Sequence, residues 1–377
     1  MKRKRPFLVV ATACMLLIAA CATPAASPSA ASGGTLSDGA KSATLPWGTF
    51  TLAQRIIDKV AKGEALNIIV NNQGTGIPVF GAQQSIGTAR GCTENVARLS
   101  ITCRLTGPAT TDQTAQLAEL ETLLASGQAD CLGVQSIVPD AYVDIINKYV
   151  DAGVPVFTQN TDVENSKRFA FFALDERDAG IANGKATANL VKANGYAVNQ
   201  IALGSGGPEA PWAQNRMGGF AEGYASVIAD AKFFNDEKSG LPTGPGYTTQ
   251  EVIDSVGPFL TGNADVNFFF HTDQGVEGVA TVIKDQGKTG EAWSSGFNVS
   301  DAILNGIDTG EILVTIDQGF DNQAKAAVTA CVDFFVDGKL PADPLAYLDP
   351  IVITKDGGEG QITTTQSRER LKEATGG

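Results

Sequence analysis

Six short apolar runs recur along the chain: LNIIV at 66–70, CLGVQ at 131–135, VPVFT at 154–158, QIAL at 200–203, VNFFF at 266–270 and ILVTI at 312–316. Stretches of helical length and period lie among them, over 111–126, 142–152, 179–193 and 215–229, after an amphipathic segment at 52–61. This alternation constrains the fold more than any other feature. A strand that is apolar throughout is buried on both faces, and helices between successive strands supply the two covers, so the pattern predicts an α/β fold with parallel sheets. Sheets of this kind bind ligands outside the carboxyl ends of their strands.

The residues at those ends are polar: Asn71-Asn72-Gln73, Gln135-Ser136, Gln159-Asn160-Thr161-Asp162, His271-Thr272-Asp273-Gln274, Asn298 and Asp317-Gln318. Amides and carboxylates without an adjacent nucleophile and base suit a ligand rich in hydroxyl groups. Phe80, Trp212 and Phe297 offer aromatic faces for the apolar side of a sugar ring.

The N-terminus has its own grammar. Lys2, Arg3, Lys4 and Arg5 precede an apolar run over 7–20 that ends in Ala-Ala directly before Cys21. The run is short for a membrane span and reads as a signal peptide over 1–20. Small residues before a cysteine resemble a bacterial lipobox, which implies a lipidated Cys21 as first mature residue, anchored in a membrane through acyl chains. Residues 21–45 are dominated by Ala, Ser, Thr, Gly and Pro and are expected to form a flexible tether.

Loss of residues 1–20 takes the formal charge from -13 to -17. With no basic patch, nucleic acid is excluded as a partner. The remaining length suffices for two lobes with cores. Cys92, Cys103, Cys131 and Cys331 would then sit in an oxidising compartment. Cys92 and Cys103 flank one loop and are expected to pair. Cys131 and Cys331 form either a second disulfide or two buried thiols. No cluster has metal-ligand spacing, so neither metal nor cofactor is expected.

Eight segments stand in the order of a known family: IIVNN at 68–72, GPATTDQTAQ at 107–116, VPVFTQN at 154–160, LDERDAG at 174–180, NRMGGF at 215–220, FFHTD at 269–273, SGFN at 295–298 and TIDQGFDNQ at 315–323. Together they resemble the type I periplasmic sugar-binding proteins of ABC importers, typified by the ribose-binding protein. The resemblance implies two Rossmann-like lobes joined by a three-segment hinge, with an N-terminal lobe over 46–174 plus 319–350 and a C-terminal lobe over 175–318 plus 351–377. Hinge crossings are expected near 173–175, 296–298 and 317–319.

The resemblance also implies roles for single residues. Asn72 and Phe80 lie in the first binding loop. Asn160 and Asn298 stand where the family has aspartates, and Thr272 where asparagine is common. Arg216 matches the ligand-binding arginine, and Gln318 a glutamine at the last crossing. Gln159, Trp212 and Asp273 complete the expected ligand set. Asparagine in place of both aspartates removes two charged acceptors. Substitution of Arg216 or Gln318 by Ala is expected to weaken binding and leave the ligand-free melting temperature nearly unchanged.

Other functions fit less well. Gly204-Ser205-Gly206-Gly207 is followed by Pro208 and lacks the Walker Lys-Ser/Thr pair, no Gly-x-Ser-x-Gly elbow stands where a hydrolase needs it, and His271 is the sole histidine. An exported enzyme is thus disfavoured. A sugar-responsive repressor would need a helix-turn-helix in place of a lipid signal. The expected protein is a monomeric, non-enzymatic, membrane-anchored receptor facing the periplasm or cell exterior. It captures a sugar or polyol and hands it to an ABC permease, or alternatively to a membrane sensor.

Overall fold

The computed structural model describes residues 34–238 and 248–375. The signal segment over 1–20 and Cys21 lie outside them. The strands are β1 Ser42–Leu45, β2 Gly48–Thr51, β3 Leu66–Asn71, β4 Ile101–Thr106, β5 Cys131–Val134, β6 Val156–Gln159, β7 Phe171–Ala173, β8 Gln200–Gly204, β9 Val266–His271, β10 Trp293–Phe297, β11 Ile312–Asp317, β12 Leu345–Tyr347, β13 Ile351–Thr354 and β14 Gln361–Thr363. Two six-stranded sheets carry the fold, ordered β12-β7-β6-β5-β3-β4 and β14-β13-β11-β10-β9-β8.

Every pairing in the first sheet is parallel. Its central strands β5 and β6 are buried at every position, as both-face coverage demands. The second sheet is parallel from β8 to β11, but β13 runs antiparallel to β11, so its far edge departs from the all-parallel expectation. That reversal comes from chain routing. The chain leaves the first lobe after β7, returns at helix Phe320–Asp337, adds β12 to the first sheet, and enters the second sheet again as β13.

Three passages therefore join the lobes, at 174–175, 318–319 and 348–350. The crossing expected at 296–298 does not exist, because β10 and the helix Asp301–Thr309 that follows it both belong to the second lobe. Leu348 N donates to Ala173 O at 2.8 Å, lacing the third passage to the first.

Residues 37–45, read from composition as tether, are folded. Ser37 caps helix Asp38–Lys41, its N–H donates to Phe335 O at 2.9 Å, and Ala40 is fully buried. β1 then pairs with β2, whose Phe50 packs edge-on against Phe169 and Phe334. A few well-placed apolar side chains downstream recruit a stretch that could not fold alone.

Cys92 is bonded to Cys103, and Cys131 to Cys331, with Cα separations of 5.8 and 6.1 Å. The second bond ties strand β5 to the returning helix Phe320–Asp337 within the first core.

In the second lobe, helices Glu176–Asn194 and Pro211–Ala225 touch backbone to backbone. A Cβ at Gly180 would lie 2.4 Å from Arg216 O, and one at Gly219 would lie 2.2 Å from Arg177 O. Only glycine permits that approach. The contact sets the first turn of helix Glu176–Asn194 beside the second turn of Pro211–Ala225, next to the first passage between the lobes.

Candidate functional site

The carboxyl ends of the parallel strands in both sheets open on one cleft of about 1560 Å³ between the lobes. Seven of the ten side chains expected to bind ligand line it: Phe80, Asn160, Trp212, Arg216, Asp273, Asn298 and Gln318. Asn160 and Asn298 follow β6 and β10 with φ of 62° and 74°, the left-handed region. Asparagine tolerates it better than most residues, and there it terminates the strand and turns its side chain into the cleft mouth.

Asn72, Gln159 and Thr272 are fully buried beneath the cleft wall and do not line it. Asn72 Oδ1 accepts from Gly74 N and shapes the turn after β3, leaving Gln73 to face the cleft. Gln159 Nε2 donates to Gln84 Oε1 at 3.1 Å, and Gln84 Nε2 donates to Gln135 Oε1 at 2.8 Å, an amide chain inside the first lobe. Thr272 Oγ1 donates to Ser205 Oγ at 2.6 Å. At a strand end alternate side chains point to opposite sides, so each of these sits beside a residue that does face the cleft. Phe297 is also buried, and packs beneath Arg216 instead of facing a ligand.

Arg216 organises the second-lobe wall. It is 5% exposed. Its Nε and Nη2 donate to the two carboxylate oxygens of Glu176 at 2.6 and 3.0 Å, its Nη1 to Thr272 O at 2.8 Å, and its Nη2 also to Gln318 Oε1 at 2.8 Å. The guanidinium carbon stands 4.4 Å from the Phe297 ring centre and 5.0 Å from that of Trp212. Gln318 Nε2 passes the chain on to Asn298 Oδ1 at 2.6 Å. Glu176 lies just past the first passage between the lobes and Gln318 lies in the second, so one guanidinium ties two of them together.

On the first-lobe side, Phe80 meets Phe320 edge-on at 5.0 Å and presents its other surface to the cleft. Asp162 is held in a fork by Arg168. On the second-lobe side, Asp273 Oδ1 accepts from Gly275 N at 3.0 Å, and His271 packs against it. Burial pushes the His271 imidazole below its ordinary pKa, against the upward pull of Asp273, so the ring is neutral near pH 7. Burial likewise pushes the Asp317 carboxyl up, opposed by Arg370 and the Gly319 N–H.

Glu176, Gln83, Phe320, Asp301 and Tyr347 also line the cleft and were not read from sequence. Glu176 resembles any acidic first-turn residue after the N-cap Asp175. The signal that could have found it is the four-residue glycine spacing, Gly180 to Gly184 and Gly219 to Gly223, which announces the close helix pair. Among the described residues there is no group of His, Cys, Asp and Glu able to hold a metal ion, and no helix is long and apolar enough to cross a membrane.

The family model for the periplasmic binding protein domain matches residues 68–339. The chain belongs to the periplasmic binding protein family. Its structural likenesses agree with that membership in fold. A glucose-galactose binding protein from Geobacillus stearothermophilus has 21% identity and a TM-score of 0.61, covering 78% of this chain and 98% of its own. An arabinose binding protein from the same organism has 20% identity and a TM-score of 0.64, with 78% and 97% covered. An ABC transporter periplasmic solute binding protein from Actinobacillus succinogenes 130z, with bound D-allose, has 18% identity and a TM-score of 0.63, with 78% and 98% covered. No curated protein matches this chain by sequence. For a periplasmic binding protein, a cleft walled by two lobes and floored by their hinge passages is where ligand would be enclosed.

Proposed function

We propose that this chain is an extracytoplasmic solute-binding lipoprotein, acylated at Cys21, that captures a small sugar or polyol by lobe closure and delivers it to an ABC permease. The observation that carries the reading is the composition of the interlobe cleft. Amides of Asn160, Asn298 and Gln318, carboxylates of Asp273 and Glu176, and the rings of Phe80 and Trp212 converge on one cavity. Such a lining pairs hydroxyl groups at its polar points and covers C–H faces at its rings. The likeness to binding proteins for arabinose, allose and glucose-galactose supports the same ligand class.

The lobes comprise 37–174 plus 319–350 and 175–318 plus 351–375. Closure excludes water, so a ligand lacking one hydroxyl leaves a buried partner unpaired and is discriminated against strongly. Ligand shifts an open-closed equilibrium, and the closed form is the one the permease recognises. The reading requires no chemical step.

A thermal-shift screen of the mature chain against sugars, polyols, nucleosides and amino acids tests the capture step. Ligand at 100 times its dissociation constant stabilises by about 2.7 kcal/mol. A shift from one hydroxyl-rich class is expected, and a folded protein silent across the panel would refute the reading. For the anchor, Cys21→Ser should move the protein from the membrane fraction to the soluble fraction.

A further inference from the structure

Arg216 is the group in the cleft best suited to an acidic ligand, yet its charge is already taken. Both carboxylate oxygens of Glu176 accept from it, at 2.6 and 3.0 Å. Thr272 O and Gln318 Oε1 each take another N–H at 2.8 Å. Four hydrogen bonds thus bind a guanidinium that has five N–H groups to give. Glu176 is no incidental neighbour. The glycine contact sets the first turn of helix Glu176–Asn194 beside the second turn of Pro211–Ala225, which carries Arg216, and the Glu176 side chain is only 21% exposed.

The rest of the lining is acidic on balance. Asp162, Asp175, Asp273 and Asp301 line the cleft with Glu176, Asp162 in the fork of Arg168, against two cations of the C-terminal helix, Arg368, which stands on Asp308 at 2.8 Å, and Lys372. A carboxylate-bearing ligand would have to displace Glu176 from Arg216 within a wall already rich in negative charge.

We propose that Glu176 is a specificity-determining residue, which by neutralising Arg216 within the cleft wall restricts the site to uncharged polyhydroxylated ligands and rejects their acidic counterparts. The inference rests on the sugar and polyol reading above. Glu176 acts through Arg216 and is in that sense a positioning residue. It sets the plane of the guanidinium, and hence the amide of Gln318, while cancelling the charge that would attract an anion.

The test is calorimetric titration of the mature chain with matched pairs: D-glucose with D-glucuronate, D-galactose with D-galacturonate, and D-sorbitol with D-gluconate. The wild type should favour the neutral member of the pair that it binds by about a hundredfold or more. E176Q keeps an acceptor for Arg216 and drops the charge, so it should narrow that preference by about tenfold or more, in a salt-sensitive way. E176D, which restores the charge, should restore the preference, an outcome that a merely structural role does not predict.

A wild-type protein that binds the acid as well as its neutral partner overturns the inference, and so does a folded E176Q with an unchanged ratio. Should E176Q not fold, the wild-type ratio decides. A folded wild type that binds no neutral sugar or polyol overturns the solute-capture reading itself, a result distinct from neutral binding without selectivity.

Discussion

Replacing Arg216 by Met keeps most of the side-chain volume and removes the charge, and the structure sets the cost. Four hydrogen bonds disappear, two of them charge-assisted to Glu176. Glu176 is left without its partner at 21% side-chain exposure. Removing one member of a buried ion pair typically costs 3 to 5 kcal/mol. Partial access of water to Glu176 relieves some of that, so the lower end applies, about 3 kcal/mol.

For a cooperative unit of 150 to 250 residues this lowers the melting temperature by roughly 6 to 12 °C. Differential scanning calorimetry of ligand-free Arg216→Met measures it, and the paired Glu176→Met, Arg216→Met variant isolates the coupling, expected at about 2 kcal/mol. This reverses the expectation from sequence that the ligand-free protein would hardly notice the substitution. A change within about a degree would mean that the guanidinium is not committed to the protein.

Gln318→Ala removes the bridge between Arg216 and Asn298, and calorimetry should show ligand binding weakened by about 1.5 to 3 kcal/mol. Denaturant melts with and without reductant, on variants lacking one cysteine pair, should assign about 3 kcal/mol to Cys92–Cys103 and about 5 kcal/mol to Cys131–Cys331, as their loops of 11 and 200 residues imply. His271 gives stability a pH slope. Its folded pKa lies below the ordinary value, so the unfolded chain takes up the proton first as pH falls, and stability present above about 6.5 is lost on descent toward the lowered folded value. Melting temperature against pH should show this slope in wild type and a shallower one in His271→Gln.

The sequence made the buried strands plain because both faces of β3, β5, β9 and β11 meet helices, which forces unbroken apolar runs. It hid β4 and β10. β4 is an edge strand whose Thr102 and Arg104 turn outward, and β10 carries Ser294 and Ser295, both buried, with Ser294 Oγ donating to Glu311 O. A buried serine whose partner lies just ahead of the neighbouring strand reads, letter by letter, like a loop.

The site was legible as strand ends and illegible as side-chain direction. Nothing in the letters distinguishes Asn160, which faces the cleft, from Gln159, which Gln84 hooks inward. One of the three hinge crossings was misplaced for a related reason. Asn298 has the left-handed turn of a crossing residue but leads into helix Asp301–Thr309 of the same lobe, whereas the true third passage at 348–350 follows an edge strand of only three residues, β12.

The Cys131–Cys331 bond spans 200 residues and encloses the main excursion of the chain into the second lobe, residues 175–318, while the later segment 351–375 rejoins that lobe outside the closed loop. During synthesis from the N-terminus, Cys131 must stay reduced until its partner arrives. Cys92 and Cys103 are its wrong partners meanwhile, and the 11-residue Cys92–Cys103 closure retires both. The order in which the two bonds form is therefore written into their spacing. Once both are made, a protease cut anywhere between residues 175 and 317 leaves the two pieces joined.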